Sequence, residues 1–334
     1  MRRREFLSFL LTGAAAAPPL TAFSQQTGAL RRVAVLVGAA RDAEGQSRVS
    51  ALPKALSEIG WIDGLNFRLD IRYVGASLDL ARTLASEIVT LRPDVIVASG
   101  TATVAALLRV TRTIPIVFVS VSDPIGEGFL TSFASPGRNI TGFTNFEPAM
   151  CGKWVELLRE ISPNLHHVGF LFDPMTTAGR GSYFLSALDI ATRTVGMQPI
   201  SLPAHEAAEF GAIFSKFARK QGAGLIVVPS SFTVANAEPI IAQASESRLP
   251  TIYSFPEFVR AGGLISYGVD LSYLWSRAAS YVDRILNGHN AGDLPVQAPS
   301  QFQLTLNVRT ASILGLTIPP SLLARADEVI EWVR

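Results

Sequence analysis

The chain has 334 residues, of which 48% are hydrophobic and 17% charged, and its formal net charge is +2. That length and apolar content are enough for two domains with buried cores. Arg2, Arg3 and Arg4 with Glu5 account for the whole charge excess, so the rest of the chain is near neutral and gives no support to a nucleic-acid or anionic-lipid surface. Cys151 is the only cysteine, which excludes a disulfide framework.

The N-terminal segment has the pattern of an export signal. Arg3 and Arg4 are followed by an apolar run to Ala17 and by small residues that end at Ser24. The apolar run is too short to span about 30 Å of hydrocarbon, and paired arginines are typical of the Tat route. We predict a cleaved Tat-type signal peptide over residues 1–24 and a periplasmic location. No cysteine near the cleavage site could carry a lipid anchor, and the alternative is an ordinary basic N-terminus.

Strand and helix patterns alternate after the signal. Short β-branched runs predict buried strands over residues 32–37, 94–99 and 115–119. Period-two alternation predicts another strand over residues 67–73. Helical spacing of apolar residues predicts helices over residues 47–59, 78–91 and 103–110. This order implies right-handed βαβ crossovers and a parallel sheet that is covered on both faces.

The same order starts again after a junction near residues 142–150. Strands are predicted over residues 167–172, 198–202, 224–230 and 249–254, with helices over 183–195 and 210–221. We therefore predict an α/β fold with two Rossmann-like lobes, each built on a parallel sheet. The alternative is one larger continuous sheet.

The C-terminal part departs from the repeat. A strand over 263–268, a long helix over 271–286, a strand over 302–306 and a final amphipathic segment over 322–333 suggest a chain that returns to the first unit and then to the second. The predicted first lobe is residues 31–143 with about 269–297. The second is residues 144–268 with about 300–334. Several crossings would make a multi-strand hinge that lets the lobes rotate without separating.

The motifs of common enzymes are absent from the sequence. It contains no G-x-S-x-G elbow, no H-E-x-x-H, no C-x-x-C, no P-loop and no G-x-G-x-x-G after the first strand. The four histidines are dispersed, so a metal site is not expected. No stretch beyond the signal reaches 18 uninterrupted apolar residues, so the mature chain is not expected to be embedded in a membrane. These patterns favour binding over catalysis, without a cofactor.

Ligands of open parallel sheets bind beyond the carboxyl ends of the strands, where helix N-termini offer unpaired N–H groups. Small hydroxyl residues beside glycine let such groups approach a carboxylate closely, and the helix dipole favours negative charge there. The candidate ligand-binding residues at these strand ends are Gly38, Ala39, Ser99, Thr101, Thr103, Ser120, Ser122, Asp123, Asn145, Phe172, Ser230, Phe232, Tyr253, Tyr267 and Asp270. In this hypothesis Asp123 or Asp270 holds an ammonium group, and the aromatic residues form flat apolar walls.

Each candidate also has a simpler structural interpretation. A serine or threonine after a strand is frequently the N-cap of the next helix. Asp123 with Pro124 can end a strand and open a turn. Phe172 and Tyr253 could be core residues at strand ends. The convergence of all these positions on one predicted crevice is what favours a binding site.

Several segments resemble a known family. They are Thr-Ile-Pro-Ile-Val-Phe at 113–118, Val-Ser-Asp-Pro at 121–124, Pro-Gly-Arg-Asn-Ile-Thr-Gly-Phe at 136–143, Gly-Gly-Leu-Ile-Ser-Tyr-Gly-Val-Asp at 262–270 and the closing segment 316–327. With them, almost the whole mature chain resembles the ABC-transporter substrate-binding family typified by tryptophan/tyrosine-binding proteins. The resemblance implies a type I periplasmic binding protein fold that delivers a small solute to a membrane permease. By this analogy the cleft residues are Thr101, Ser122, Asp123, Asn145, Phe232, Tyr267 and Asp270.

The sequence thus favours a periplasmic receptor of an ABC importer, monomeric by default, that binds an amino acid or a related small carboxylate. Two other functions stay open. One is a secreted α/β enzyme that uses Asp123 or Asp270 as an acid or base. The other is a periplasmic solute sensor for a membrane receptor. A cytoplasmic sugar-repressor relative is disfavoured by the export signal and by the lack of DNA-binding helices.

Overall fold

The computed structural model describes residues 30–75 and 77–331. The signal peptide predicted over residues 1–24 therefore lies outside the described residues. The remainder forms two separate sheets, one of five strands and one of seven. The alternative of one continuous sheet is wrong.

The first sheet is built from the predicted βαβ units. Its elements are β1 (Arg31–Val37), α1 (Ala43–Glu58), β2 (Phe67–Tyr73), α2 (Leu78–Thr90), β3 (Val95–Ser99), α3 (Thr101–Val110), β4 (Ile116–Val121) and β5 (Ile140–Thr144). The strands lie in the order β2-β1-β3-β4-β5, and every pair is parallel. The side chains of β1 from Val33 onward and all those of β3 are buried, as expected for strands that are covered on both faces.

The second sheet repeats that order. Its elements are α4 (Ala149–Ile161), β6 (His167–Phe172), α5 (Ser182–Thr194), β7 (Gln198–Pro203), α6 (Phe210–Ala218), β8 (Ala223–Val227), α7 (Ser231–Ala235), α8 (Ala237–Glu246), β9 (Thr251–Tyr253), α9 (Pro256–Arg260), β10 (Ile265–Gly268), α10 (Leu271–Leu286), β11 (Gln303–Asn307), α11 (Val308–Ile313), α12 (Pro320–Leu323) and β12 (Glu328–Ile330). The strands β7-β6-β8-β9-β10 correspond in order to β2-β1-β3-β4-β5, and β11 and β12 extend the sheet beyond β10. The internal repeat seen in the sequence is thus a repeat of topology.

Helix α10 belongs by its packing to the first lobe, although it follows the strands of the second. It packs along α1 and against β3, β4 and β5. The indole Nε1 of Trp61 donates a hydrogen bond to Asp283 at 2.9 Å, and the rings of Phe143 and Tyr281 are 4.8 Å apart. These contacts join the helix to the lobe that was built more than a hundred residues earlier in the chain.

Three segments connect the lobes: β5 to α4, β10 to α10, and the stretch that leads to β11. The third segment is hydrogen-bonded to the first. The N–H of Gln297 donates to the carbonyl of Gly142 at 2.9 Å, and the carbonyl of Gln297 accepts from the N–H of Thr144 at 2.9 Å. Connections of this kind permit rotation and limit separation.

The last two strands run opposite to the others. Strand β11 pairs antiparallel with β10, and β12 is parallel to β11. The reason is the path of the chain: β10 runs toward the hinge, and the chain re-enters the second lobe from that side. The amphipathic segment that the sequence suggests at 322–333 is not one element. It contains the end of the short helix α12 and then the edge strand β12.

Strand β5 was not predicted, and its sequence explains why. It is five residues long and carries Gly142 at its centre, so no alternating pattern is visible. A Cβ at Gly142, which has φ +155°, would lie less than 2.5 Å from the carbonyl oxygen of Phe118 on β4. Glycine is therefore required where the two backbones approach most closely.

Candidate functional site

A crevice lies between the lobes at the carboxyl ends of the strands of both sheets. It encloses about 620 Å³, its opening to solvent included. Eight of the fifteen predicted site residues line it: Gly38, Ala39, Ser99, Thr101, Ser120, Ser122, Asn145 and Ser230. The position is the one that open parallel sheets use for ligands.

The turn from β3 to α3 presents backbone to the crevice. Gly100, at φ +85° and ψ +153°, precedes the helix, and no side chain caps the α3 N-terminus. The hydroxyl of Ser99 accepts a hydrogen bond from the N–H of Gly38 at 3.0 Å, which ties this turn to the end of β1. The first N–H groups of α3 thus lack a side-chain partner and face a site where negative charge is favoured.

Ser120 has an unusual backbone that a neighbouring side chain supports. Its φ is +60°, a left-handed conformation, at the point where the register between β4 and β5 shifts. The amide of Asn145 donates to the Ser120 hydroxyl at 2.9 Å and accepts from the Ser122 hydroxyl at 3.0 Å. A non-glycine residue in this region costs roughly 1–3 kcal/mol, and such strain concentrates at functional sites. Asn145 therefore fixes both serines against the crevice.

The second lobe meets the first at the turn from β8 to α7. Here Ser230 caps its own helix: its hydroxyl accepts from the Thr233 N–H at 3.1 Å, and its N–H donates to the Thr233 hydroxyl at 3.0 Å. A Cβ added at Gly100 would be 2.9 Å from the hydroxyl of Ser231. The lobes thus touch across the crevice, and the N–H of Gly179 also donates to Glu127 of the first lobe at 2.7 Å.

Charged side chains meet at the same boundary. Arg48 of α1 lines the crevice, and its Nε lies 3.5 Å from Glu257 of α9 in the other lobe. Both side chains are buried. Burial raises the pKa of Glu257, and the attraction of Arg48 offsets only part of that effect. This contact joins charged side chains of the two lobes.

The other seven predicted residues do not line the crevice, and four of them are core residues. Thr103 donates to the Ser99 carbonyl at 2.6 Å, a bond inside the helix turn. Phe172 and Phe232 are about 95% buried, and Phe232 packs edge-on against Phe210 at 5.7 Å. Tyr253 is buried and stacks on Phe258 at 5.0 Å, and its burial raises its pKa. Here the simpler interpretation of strand-end aromatics describes the structure.

The two predicted acids are engaged with backbone N–H groups. Asp123 accepts from Gly126 at 2.8 Å and closes a turn. Asp270 accepts from Ser272 at 2.7 Å and caps α10. Tyr267 stacks on Phe302 at 5.7 Å. Neither of the carboxylates that the enzyme hypothesis assigns as acid or base lines the crevice.

Nine crevice residues were not predicted: Val37, Gly45, Arg48, Val49, Thr176, Pro229, Val234, Leu271 and Trp275. Gly100, Ser231 and Phe255 also line the crevice, and they belong to the strand-end segments that the sequence indicates. Arg48 and Trp275 lie inside helices, where periodicity alone marks no difference between a core residue and a cleft residue.

Across residues 30–75 and 77–331, no three His, Cys, Asp or Glu side chains are grouped so that they could hold a metal ion. No helix in the same ranges is long and apolar enough to cross a bilayer.

Comparison with known proteins assigns the family. The sequence profile of the ABC transporter substrate binding proteins matches residues 32–330. The chain belongs to this family. It is 24% identical to the tyrosine-binding protein of Clostridioides difficile over 264 residues, 79% of this chain and 75% of that protein.

Solved structures show the same fold. A conserved domain protein from Vibrio cholerae is 28% identical and has a TM-score of 0.84, covering 90% of this chain and all of that one. An ABC domain from Streptococcus pneumoniae in complex with L-Trp is 21% identical, with a TM-score of 0.83 over 90% of this chain and all of that one. A ligand-free, open substrate-binding protein from Clostridium difficile is also 21% identical, with a TM-score of 0.67 over 91% of this chain and all of that one. The predicted type I periplasmic binding protein fold is confirmed.

Proposed function

We propose that this protein is the periplasmic solute-binding component of an ABC importer, and that its ligand is an amino acid or a related small carboxylate with an aromatic body. The observation that carries the proposal is the crevice, which both lobes line with polar and with apolar side chains.

The polar lining residues can hydrogen-bond a small charged group. Among them are the hydroxyls of Thr101, Ser120 and Ser122 and the amide of Asn145. The uncapped N-terminus of α3 and the charge of Arg48 both favour an anion. A carboxylate suits these donors better than a neutral sugar does.

The apolar lining residues suit a flat hydrophobic body. They are Val49, Val234, Phe255, Leu271 and Trp275, which come from both lobes and from the returning helix α10. Aromatic side chains supply large apolar contact area to a ring-bearing ligand. The named ligands of two relatives, tyrosine for one and L-Trp for the other, fit this combination of polar and apolar lining residues.

The importer role rests on the family and on the export signal that the sequence predicts over residues 1–24. In this role ligand binding stabilises the closed arrangement of the lobes by its greater affinity for that arrangement. The closed protein then presents one composite surface to the permease. A solute sensor would use the same closure, and a permease gene found next to the gene of this protein would favour transport over sensing.

The test is calorimetric titration of the purified mature protein with aromatic amino acids, aromatic carboxylic acids and aliphatic amino acids. We expect one site per chain, with aromatic carboxylates preferred and the bound compound recovered unchanged. Turnover of the bound compound would instead indicate an enzyme. Binding confined to uncharged solutes would contradict the ligand class and leave the fold assignment intact.

A further inference from the structure

Arg48 is the one charged residue among those that line the crevice in the described ranges. It lies on α1, and its side chain is 11% exposed. Charged side chains are rarely this buried unless they are paired with well-aligned partners. The alignment of its partners is therefore informative.

The two carboxylates near Arg48 are poorly aligned with it. Its Nε lies 3.5 Å from Glu44 and 3.5 Å from Glu257, whereas a charge-assisted hydrogen bond is about 2.7–2.9 Å long. Within residues 30–75 and 77–331 its guanidinium makes no hydrogen bond. The buried Nε of Arg48 and the buried Oε2 of Glu257 are both without a partner.

An unfilled guanidinium beside a cavity indicates a missing acceptor. Arginine carries five N–H donors in a planar fork that matches a carboxylate in bidentate fashion. The α3 N-terminus also attracts anions, but with only about half a unit of charge. Arg48 offers a full charge and free donors in the same crevice.

We propose that Arg48 is the specificity-determining residue that binds the carboxylate of the ligand. This inference rests on the function proposed above and deepens it by assigning the acid group to one side chain. The ligand supplies the hydrogen bonds that Glu44 and Glu257 do not make. Because Glu257 belongs to the second lobe, the carboxylate is held at a point where the lobes meet.

The experiment compares each acid with its primary amide, which has the same body without the negative charge. The probes are L-tryptophan, L-tyrosine and 3-phenylpropionate with their carboxamides, titrated at a pH where the amines stay protonated. For the wild-type protein we expect the acids to bind roughly ten- to a hundredfold more tightly than the amides, the effect of a hydrogen-bonded charge. In Arg48→Met that preference falls to within about threefold, through loss of acid affinity.

Two further variants control the result. Arg48→Lys keeps the charge without the planar fork, so an intermediate preference is expected, and this variant retains a test if Arg48→Met does not fold. Arg219→Met makes the same change at an exposed position away from the crevice and should leave the preference unchanged.

An acid preference that is unchanged in Arg48→Met would overturn the inference alone and leave the α3 N-terminus as the anion-binding group. If Arg48→Met does not fold, an unchanged acid preference in Arg48→Lys would contradict the role of the planar guanidinium. Failure of all three acids to bind the wild-type protein would contradict the proposed ligand class and this inference with it.

Discussion

The two lobes present equivalent turns to the crevice, but only one of those turns is satisfied by its own side chains. In the first lobe, β3 leads through Gly100 into α3, whose N-terminus has no side-chain cap. In the second lobe, β8 leads to Ser230, which caps α7 together with Thr233. The same strand-to-helix connection is therefore open in one lobe and closed in the other.

This difference suggests that the two lobes, although they share one topology, have different roles in ligand binding. The open turn leaves N–H groups for a ligand, and the hydroxyl of Thr101 is free to join them. In the capped turn the Ser230 hydroxyl is bonded to its own helix, and the turn contributes its contact with the first lobe. We expect the first lobe to determine ligand affinity and the second to determine whether the lobes fit together.

The largest effect should come from filling the open turn. In Gly100→Val the side chain would meet Ser231 of the other lobe, where a Cβ alone is already 2.9 Å from the hydroxyl. We expect calorimetry to show a loss of affinity of roughly a hundredfold, equivalent to about 3 kcal/mol. The positive φ adds a loss of stability of about 1–3 kcal/mol.

Gly196→Val separates those two effects. Gly196 also has a positive φ, +77°, but no atom lies within 4 Å of its Cβ position. This control should lose stability and keep its affinity. Equal loss of affinity in both variants would mean that backbone strain, and not the contact between lobes, weakens binding.

The second effect separates the two turns directly. Ser230→Ala removes a helix cap and should lower the free energy of unfolding by about 1 kcal/mol, measured by denaturant titration. Thr101→Ala removes no cap, so it should leave stability within about 0.5 kcal/mol of wild type while weakening ligand binding several-fold. The reverse pattern, with stability lost in Thr101→Ala and affinity lost in Ser230→Ala, would contradict the assignment of roles.

The smallest effect concerns the charges that the two lobes bring to their contact. Burial raises the pKa of Glu257 above its ordinary value of 4.5, so the folded protein holds that proton more tightly than the unfolded chain. Stability should therefore fall as the pH rises from about 4.5 through the raised pKa, and then level off. Glu257→Gln should lack this component, so the difference in unfolding free energy between wild type and variant should decrease over that range. A difference that rises with pH would show that the attraction of Arg48 outweighs the effect of burial on the pKa of Glu257.

The sequence predicted which residues lie at the carboxyl ends of the strands better than it predicted which side chains face the crevice. Gly38, Ser99 and Thr101 were found because each follows a buried β-branched run, and the end of such a run fixes the position of a residue along the sheet. The same rule placed Phe172 and Tyr253 at strand ends correctly. It could not tell which way a ring turns, and burial of their apolar area drew both into the core.

Residues on helices escaped prediction for a different reason. Arg48 and Trp275 are separated by more than two hundred positions and come together only because α10 returns to pack along α1. Such a juxtaposition depends on tertiary packing, which local periodicity does not contain. Asp123 and Asp270 show the opposite error: they were predicted as site residues, but they accept hydrogen bonds from local N–H groups that any turn or helix start can offer.

The return of α10 also constrains how the protein can be made and divided. A fragment that stopped at the end of β10 would hold all five strands of the first sheet but would expose the surface that Leu274, Ala278 and Val282 cover. During synthesis the first lobe cannot complete its core until the second lobe and then α10 have been translated. Neither half of the gene encodes a self-sufficient half of the protein.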